Sequence, residues 1–215
     1  MSDCAGANSE EKEMRNDRAT RQTRTLPCEF QTREENDQMI IEGYFAVFDS
    51  VYQITSDMSE SIAPGAFSSS ISGDVRALIN HDTTLVLGRT VAHTLELKED
   101  NHGLWGRIII NPKDSDAVNA YERVKRGDVS QCSIGFDVVK EDTEVLENGS
   151  IHWTIRNTTL WEVSMCTFPA YETTNISARA KERDEIKRRS MEAWKTRTLK
   201  KLKGEKADGT ESAHA

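Results

Sequence analysis

Short apolar runs rich in β-branched and aromatic residues recur through the middle of the chain, and they predict β-strands. The first predicted strand covers residues 39–48, and residues 49–62 are predicted to form a polar loop. Turn residues separate the later strands, several of which alternate apolar and polar positions. These later strands are predicted over residues 75–80, 84–88, 93–98, 104–110, 131–139, 152–157 and 160–168.

One helix is predicted among these strands. Asp114 or Ser115 can cap its start, and Gly127 can end it. Its apolar face consists of Ala117, Val118, Tyr121 and Val124. Because strands are many, helices are few and the two do not alternate, the pattern predicts a β-rich α+β fold. We expect a mainly antiparallel barrel or sandwich with attached helices.

The two ends of the chain are more polar than its middle. Residues 1–37 contain few apolar side chains and are predicted to be a disordered N-terminal arm. Residues 38–176 are then the folded domain, and residues 177–215 are a basic helical tail. The tail has a narrow apolar stripe, too narrow to bury well in one small domain, which consists of Met191, Trp194, Leu199 and Leu202.

Composition and charge narrow the range of partners. The formal net charge of -8 argues against nucleic acid and against an anionic membrane. No apolar run approaches about 18 residues, so no membrane span is expected, and the N-terminus lacks the apolar segment of a secretory signal peptide. The four cysteines have neither C-x-x-C spacing nor a zinc-like histidine pattern, so we expect them to be reduced. No two histidines have i, i+4 spacing, so no metal site is expected. No cofactor is expected either.

Ser133 is the first candidate for chemistry, because it enters an apolar strand directly after the helix and its stop. A hydroxyl in such a place can be held rigidly, as a nucleophile requires. Strand alternation places Ser133 and Gly135 on one face, with Cys132 and Ile134 on the other. Gly135 would leave room for a substrate backbone. The same segment also fits a structural serine that hydrogen-bonds to a neighbouring strand.

His81 and Glu162 are two further candidates. His81 follows an apolar run, and from a strand end its imidazole can face a cleft and act as a general base. Glu162 lies within an apolar strand, where a carboxylate needs a partner or a wet cleft, and it can orient an imidazole. Arg89, after Gly88, can contribute to an oxyanion site. A surface histidine, an edge-strand glutamate and a turn arginine are the structural alternatives.

A set of short segments occurs in an order that resembles the prohead protease family of tailed phages. The resemblance covers about residues 38–172 and depends on the whole set, since no single segment is decisive. The segments are residues 41–48, 62–67, 80–82, 86–89, 103–104, 133–136, 162–164 and 169–170.

This resemblance implies a serine endopeptidase similar in fold to the herpesvirus protease assemblin, a β-barrel surrounded by helices. It implies that Ser133 is the nucleophile and His81 the base. Assemblin-like enzymes can use a second histidine as the third member. No histidine lies close to Glu162 in its strand, so Glu162 takes this role, with Asp82 in reserve.

The implied function is proteolysis inside the procapsid, within the host cytoplasm. The partner is the major capsid protein, from which the enzyme would remove the scaffolding segment. It would then cut itself, within its own tails. A second copy of the chain is therefore also an expected partner, and a homo-oligomer is allowed. No cofactor, nucleic acid or membrane is implied.

Three rival hypotheses differ in chemistry. A catalytically inert assembly protein could use the same fold as a scaffold. A cysteine protease could use Cys132 or Cys166. Strand alternation lets only one of Cys132 and Ser133 face His81, and the family motif favours Ser133. A non-proteolytic hydrolase is disfavoured because the sequence contains no G-x-S-x-G elbow.

Overall fold

The computed structural model describes residues 22–27, 30–35, 38–168 and 173–202. Strands dominate these ranges, and two α-helices and a short 3-10 helix at Thr90–Ala92 accompany them. In chain order the elements are β1 (Gln22–Pro27), β2 (Gln31–Glu35), β3 (Gln38–Val47), β4 (Tyr52–Thr55), β5 (Met58–Ile62), β6 (Arg76–Ile79), β7 (Asp82–Arg89), β8 (Leu95–Glu99), β9 (Gly103–Ile109), α1 (Ser115–Arg126), β10 (Gln131–Val145), β11 (Ile151–Cys166) and α2 (Thr173–Leu202).

The strands pair into two sheets. The larger sheet has seven strands in the order β1-β10-β11-β5-β4, and β6 also pairs with β11 and carries β7. The smaller sheet has the order β2-β3-β9-β8. The strand pairs are antiparallel except those that β11 makes with β5 and β6. The fold is therefore β-rich and mainly antiparallel, as the sequence predicts.

A shared hydrophobic core joins the sheets and α1. The smaller sheet contributes Ile41, Phe45 and Ile108, and β10 contributes Ile134 and Phe136. The helix begins and ends where the sequence predicts. The Asp114 side chain accepts hydrogen bonds from two backbone N–H groups of the first turn, and Gly127 ends the helix in the left-handed region at φ 88°. Its buried face consists of Ala117, Ala120, Tyr121 and Val124, so Ala120 takes the place predicted for Val118.

Several predicted boundaries are wrong. Strands β1 and β2 lie within residues 22–35, which the sequence assigned to a disordered arm. Strands β4 and β5 lie within residues 49–62, which were predicted to be a loop. The two strands predicted over residues 152–168 are one long strand, β11, because Thr158 and Thr159, which lie between the predicted strands, pair with Val138 and Asp137 of β10.

The pairings of the described strands leave both sheets open, so the closed barrel and the assemblin-like details stay predictions. The helical tail predicted from residue 177 lies in α2, which already begins at Thr173. By its contacts the chain divides into one compact unit over Met1–Ile176 and a second over Ser177–Ala215. Residues 1–21, Cys28, the segment 169–170 and residues 203–215 lie outside the described residues.

Candidate active site

The strands β10 and β11 bring two of the predicted site residues to one face of the larger sheet. Ser133 lies directly opposite Ser164, and Gly135 lies opposite Glu162. Residues opposite each other in an antiparallel pair share a face, so these four residues form one patch. All of the polar members are buried, with Ser133 and Ser164 at 0% exposure and Glu162 at 3%.

His81 reaches this patch from a tight turn. β6 ends at Ile79 and β7 begins at Asp82, so Asn80 and His81 form a two-residue hairpin connection. Both have positive φ, at 50° and 62°. This is the type of turn that matches the twist of paired strands, and asparagine is among the residues that tolerate it best.

The turn is fixed to the end of β11. The Asn80 backbone N–H donates to the Met165 carbonyl oxygen at 2.9 Å, and the Asn80 side-chain oxygen accepts from the Thr167 N–H at 2.9 Å. The His81 N–H donates to the Ser164 hydroxyl oxygen at 3.3 Å. These bonds stabilise the left-handed backbone and place the imidazole beside the patch formed by β10 and β11.

The imidazole of His81 and the carboxylate of Glu162 are directly bonded. His81 Nδ1 lies 2.6 Å from Glu162 Oε1, and the Ser164 hydroxyl donates to Glu162 Oε2 at 2.6 Å. A carboxylate only accepts, so Nδ1 carries the proton in this contact. In the neutral imidazole the Nε2 atom is then the proton acceptor, which is the tautomer that a general base needs.

Nε2 faces a cysteine. Cys166 Sγ lies 3.9 Å from His81 Nε2, and Cys166 is a buried free thiol. Burial of the imidazole lowers its pKa, but the contacts with Cys166 and Glu162 raise it more strongly, so that the pKa of His81 rises to about 10. In this arrangement His81 therefore holds a proton at neutral pH, while a base poised for catalysis has a pKa near the working pH.

The Ser133 hydroxyl is buried and has no hydrogen-bond partner among the described residues. It therefore makes no bond to His81 in this conformation. A buried hydroxyl without a partner is unfavourable, and such groups in native proteins call for an explanation. A substrate group or a turn of the imidazole from Cys166 toward Ser133 would each provide a partner.

Gly135 has a different role from the predicted one. The sequence suggests that it leaves room for a substrate backbone, but the Glu162 side chain fills that space. A Cβ atom built on Gly135 would lie 2.9 Å from both Cγ and Cδ of Glu162. The absence of a side chain at Gly135 is therefore what allows the Glu162 carboxylate to lie flat against β10 and face His81.

The other predicted residues are occupied elsewhere. Asp82 accepts hydrogen bonds from the N–H and hydroxyl of Thr84, which lower the pKa of its carboxyl group. Its carboxylate is therefore engaged by its own turn and not by His81, whose Nδ1 contacts Glu162. The Arg89 guanidinium donates to both carboxylate oxygens of Asp74, at 2.7 and 2.6 Å, so it is engaged in an ion pair. Cys132 Sγ faces the backbone carbonyl of Tyr44 at 3.3 Å, on the core side of β10.

Sequence reasoning missed Ser164 as part of the site, and it weighed Cys166 only as a rival nucleophile. The signal was present, because Glu162, Ser164 and Cys166 are spaced by two along one strand and so share a face.

Across the described part of the chain, no group of three or more histidine, cysteine or acidic side chains could hold a metal ion. Neither described helix has the length and apolarity needed to cross a membrane.

Comparison with known proteins gives three findings. The sequence model of the Caudovirus prohead serine protease family matches residues 27–189. The prohead protease of Enterobacteria phage HK97 is 34% identical over 148 residues, which are 67% of this chain and 61% of that protein. The capsid assembly protease of bacteriophage T4 superposes with a TM-score of 0.41 at 8% identity, over 67% of this chain and 98% of the T4 chain.

Proposed function

The chain belongs to the Caudovirus prohead serine protease family, and we propose that it is a serine endopeptidase of capsid maturation. Its substrate is the major capsid protein, from which it removes the scaffolding segment inside the procapsid. It then cleaves itself. The matched region spans less than two thirds of the HK97 prohead protease, so these activities are inferred from family and site together.

The proposal assigns three roles. Ser133 is the nucleophile, His81 is the general base, and Glu162 orients the imidazole. The observation that carries these assignments is the 2.6 Å contact between His81 Nδ1 and Glu162 Oε1, on the sheet face that also carries Ser133. Glu162 is favoured over Asp82 as the third member because the Asp82 carboxylate is bonded to Thr84 instead.

Catalysis requires His81 Nε2 to turn from Cys166 to Ser133. The Ser133 Oγ then bonds to the scissile carbonyl carbon while its proton moves to Nε2. The imidazolium, stabilised by Glu162, gives that proton to the leaving amine as the peptide bond breaks. Water, deprotonated by the same imidazole, then hydrolyses the acyl-enzyme and releases the Ser133 hydroxyl.

Cys166 is a second candidate nucleophile, and one observation favours it. Its Sγ is the group that actually faces His81 Nε2, at 3.9 Å. The arrangement of Cys166, His81 and Glu162 has the order of contacts found in a cysteine protease. The family assignment supports Ser133 instead, and a variant of each residue separates the two.

The experiment is co-expression with the major capsid protein, followed by mass spectrometry of the products. We expect Ser133→Ala to fold normally and to abolish cleavage, since loss of a nucleophile of this kind lowers kcat on the order of 10⁶-fold. We expect His81→Ala to be similarly severe and Cys166→Ala to cleave the capsid protein. Cleavage by Ser133→Ala that disappears in Cys166→Ala would assign the reaction to the cysteine. A wild-type chain that leaves the capsid protein whole would indicate an inert scaffold.

The basic tail is proposed to deliver the protease into the assembling shell. Along α2 the side chains of Met191, Trp194 and Leu199 are all more than half exposed. An exposed apolar stripe between basic residues suits docking onto an acidic partner surface. Deleting residues from 178 onward should leave an active domain that enters proheads poorly. Normal packaging of the truncated chain would contradict this role.

A further inference from the structure

The strand β1 lies along the edge of the strand that carries Ser133. β1 is the outermost strand of the larger sheet among the described residues, and it pairs antiparallel with β10 alone. In this register Thr25 lies opposite Ser133, and Arg24 lies opposite Ile134. An extended segment from the N-terminal part of the chain is thus bound beside the proposed nucleophile, in the manner of a peptide added to a sheet edge.

Arg24 is the anchor of this segment. Its Nε and Nη2 atoms both donate to the Glu60 carboxylate, with Nη2 at 2.9 Å from Oε2. Nη2 also donates to the Gln22 side-chain oxygen at 2.8 Å, and the guanidinium lies 5.7 Å from the centre of the Phe136 ring. Arg24 is 6% exposed and Glu60 is 1% exposed. The Glu60 carboxylate, the Gln22 side chain and the Phe136 ring thus surround the guanidinium in the way that arginine-binding sites do.

Glu60 lies inside the sheet, whereas Arg24 lies on the edge strand β1. Glu60 lies in the middle of β5, opposite Trp153 of β11 and Tyr52 of β4. If β1 left the edge of β10, the Glu60 carboxylate would lose two charge-assisted hydrogen bonds in a buried place. A peptide that restored them would need a basic side chain at the position of Arg24.

Buried polar atoms without hydrogen-bond partners also lie along this edge. The Ser133 Oγ, the Thr23 Oγ1 and the Gln131 Oε1 atoms are buried and have no hydrogen-bond partner among the described residues. Thr23 lies opposite Gly135, so these groups fall along one stretch of the β1–β10 ladder. β1 therefore covers the edge without satisfying the polar atoms beside the nucleophile.

We propose that the edge of β10 is the binding site for an extended substrate peptide and that Glu60 selects a basic side chain in it. The selected residue directly precedes the residue that faces Ser133, as Arg24 precedes Thr25. In the resting chain β1 occupies this site and excludes the substrate. This inference rests on the proposed protease function for its substrate, but the peptide-binding step can be measured without catalysis.

The energetics of a tethered segment fit this role. A strand that belongs to the same chain as its site is present there at an effective concentration that can reach the order of millimolar. A dilute peptide displaces it poorly, whereas a substrate held at a similar local concentration competes with it. Weakening the Arg24–Glu60 pair should therefore open the site to an added peptide.

The test measures peptide binding to the full chain carrying Ser133→Ala, which prevents cleavage. The probe is a fluorescently labelled hexapeptide with the sequence of residues 22–27, and its matched control has glutamine in place of the arginine. Adding Arg24→Ala to the protein should tighten binding of the arginine peptide by about tenfold or more, because the internal competitor is weakened. The glutamine peptide should bind about tenfold more weakly than the arginine peptide.

Glu60→Gln tests the recognition itself. This variant should bind the two peptides equally, while Glu60→Asp should keep a reduced preference for arginine. Hydrogen exchange adds a readout that needs no peptide: Arg24→Ala should raise the exchange of amides in residues 131–136 of the full chain. The proposal would be overturned if both peptides bound with equal affinity to the chain that carries Ser133→Ala alone. It would also be overturned if Arg24→Ala left the hydrogen exchange of these amides unchanged. Failure of capsid-protein cleavage by the wild-type chain would instead count against the proposed function.

Discussion

Replacing Gly135 with alanine would place a methyl group against the carboxylate that orients His81. The new Cβ would lie 2.9 Å from Cγ and Cδ of Glu162, closer than carbon atoms approach without repulsion. The atoms that the new Cβ would meet all belong to the Glu162 side chain, so this side chain must give way. Its Oε1 would then leave His81 Nδ1, to which it is now bonded at 2.6 Å.

The expected magnitudes differ for stability and for rate. Overpacking by one methyl group in a close-packed interior destabilises a protein by about 1–3 kcal/mol. Loss of the orienting carboxylate lowers kcat by up to about 10⁴-fold in a comparable triad. Gly135→Ala should therefore remain largely folded and lose most of its activity, so that the effect on catalysis exceeds the effect on folding.

The assay compares cleavage of the major capsid protein with the free energy of unfolding in urea. Gly106→Ala is the matched control, because it is also a glycine-to-alanine change in a strand. Its Cβ would lie 2.6 Å from Cε2 of Phe45, in the core of the smaller sheet. We expect Gly106→Ala to lose similar stability while each folded molecule cleaves at the normal rate.

Two results would refute this reasoning. Normal cleavage per folded molecule of Gly135→Ala would show that Glu162 does not need its present position. A further loss of rate when Gly135→Ala is added to Glu162→Gln would show that the alanine acts through another group. If both changes act on the same carboxylate, their effects are not additive, and the double variant is no slower than Glu162→Gln alone.

Three other predictions follow from contacts around the site. Cys166→Ala removes a group that raises the pKa of His81, so that pKa should fall from about 10 toward its usual value. Because the base must be neutral, the acidic limb of the pH–rate profile should move to lower pH. A limb that stays in place would show that Cys166 does not raise the pKa of His81. Ser164→Ala deletes a donor to the Glu162 carboxylate and should lower the free energy of unfolding by about 1.5–3 kcal/mol, measured in urea. Cys132→Ala should cut normally and lose about 1 kcal/mol in the same measurement, and an inactive but folded variant would contradict its assignment to packing.

The sequence alone determined the elements whose signals are local. The cap at Asp114 and the stop at Gly127 defined α1, because capping depends on residues within one turn of the helix. The apolar runs located most strands, because side chains alternate at every second position. Family resemblance and chemistry together singled out Ser133, His81 and Glu162, although their catalytic roles remain predictions.

Only the tertiary structure decided where polar residues could be buried. β5 looks like a loop because Ser59, Glu60 and Ser61 occupy its centre, yet all five of its residues are buried. Glu60 is compensated by Arg24, 36 residues earlier, and the serine hydroxyls bond the two ring nitrogens of His152, each at 2.9 Å. A local pattern cannot reveal such compensation, because the partner of a buried polar group comes from a distant part of the chain.

The same reason separates the candidate residues from the site they form. Glu162 and Asp82 are both plausible partners for His81 in sequence, and Asp82 is its neighbour. The turn at His81 nevertheless directs the imidazole to Glu162, 81 residues later. The role of Gly135 and the position of β1 beside Ser133 likewise depend on cross-strand register. Register is set by the packing of whole strands, so it appears only when the chain has folded.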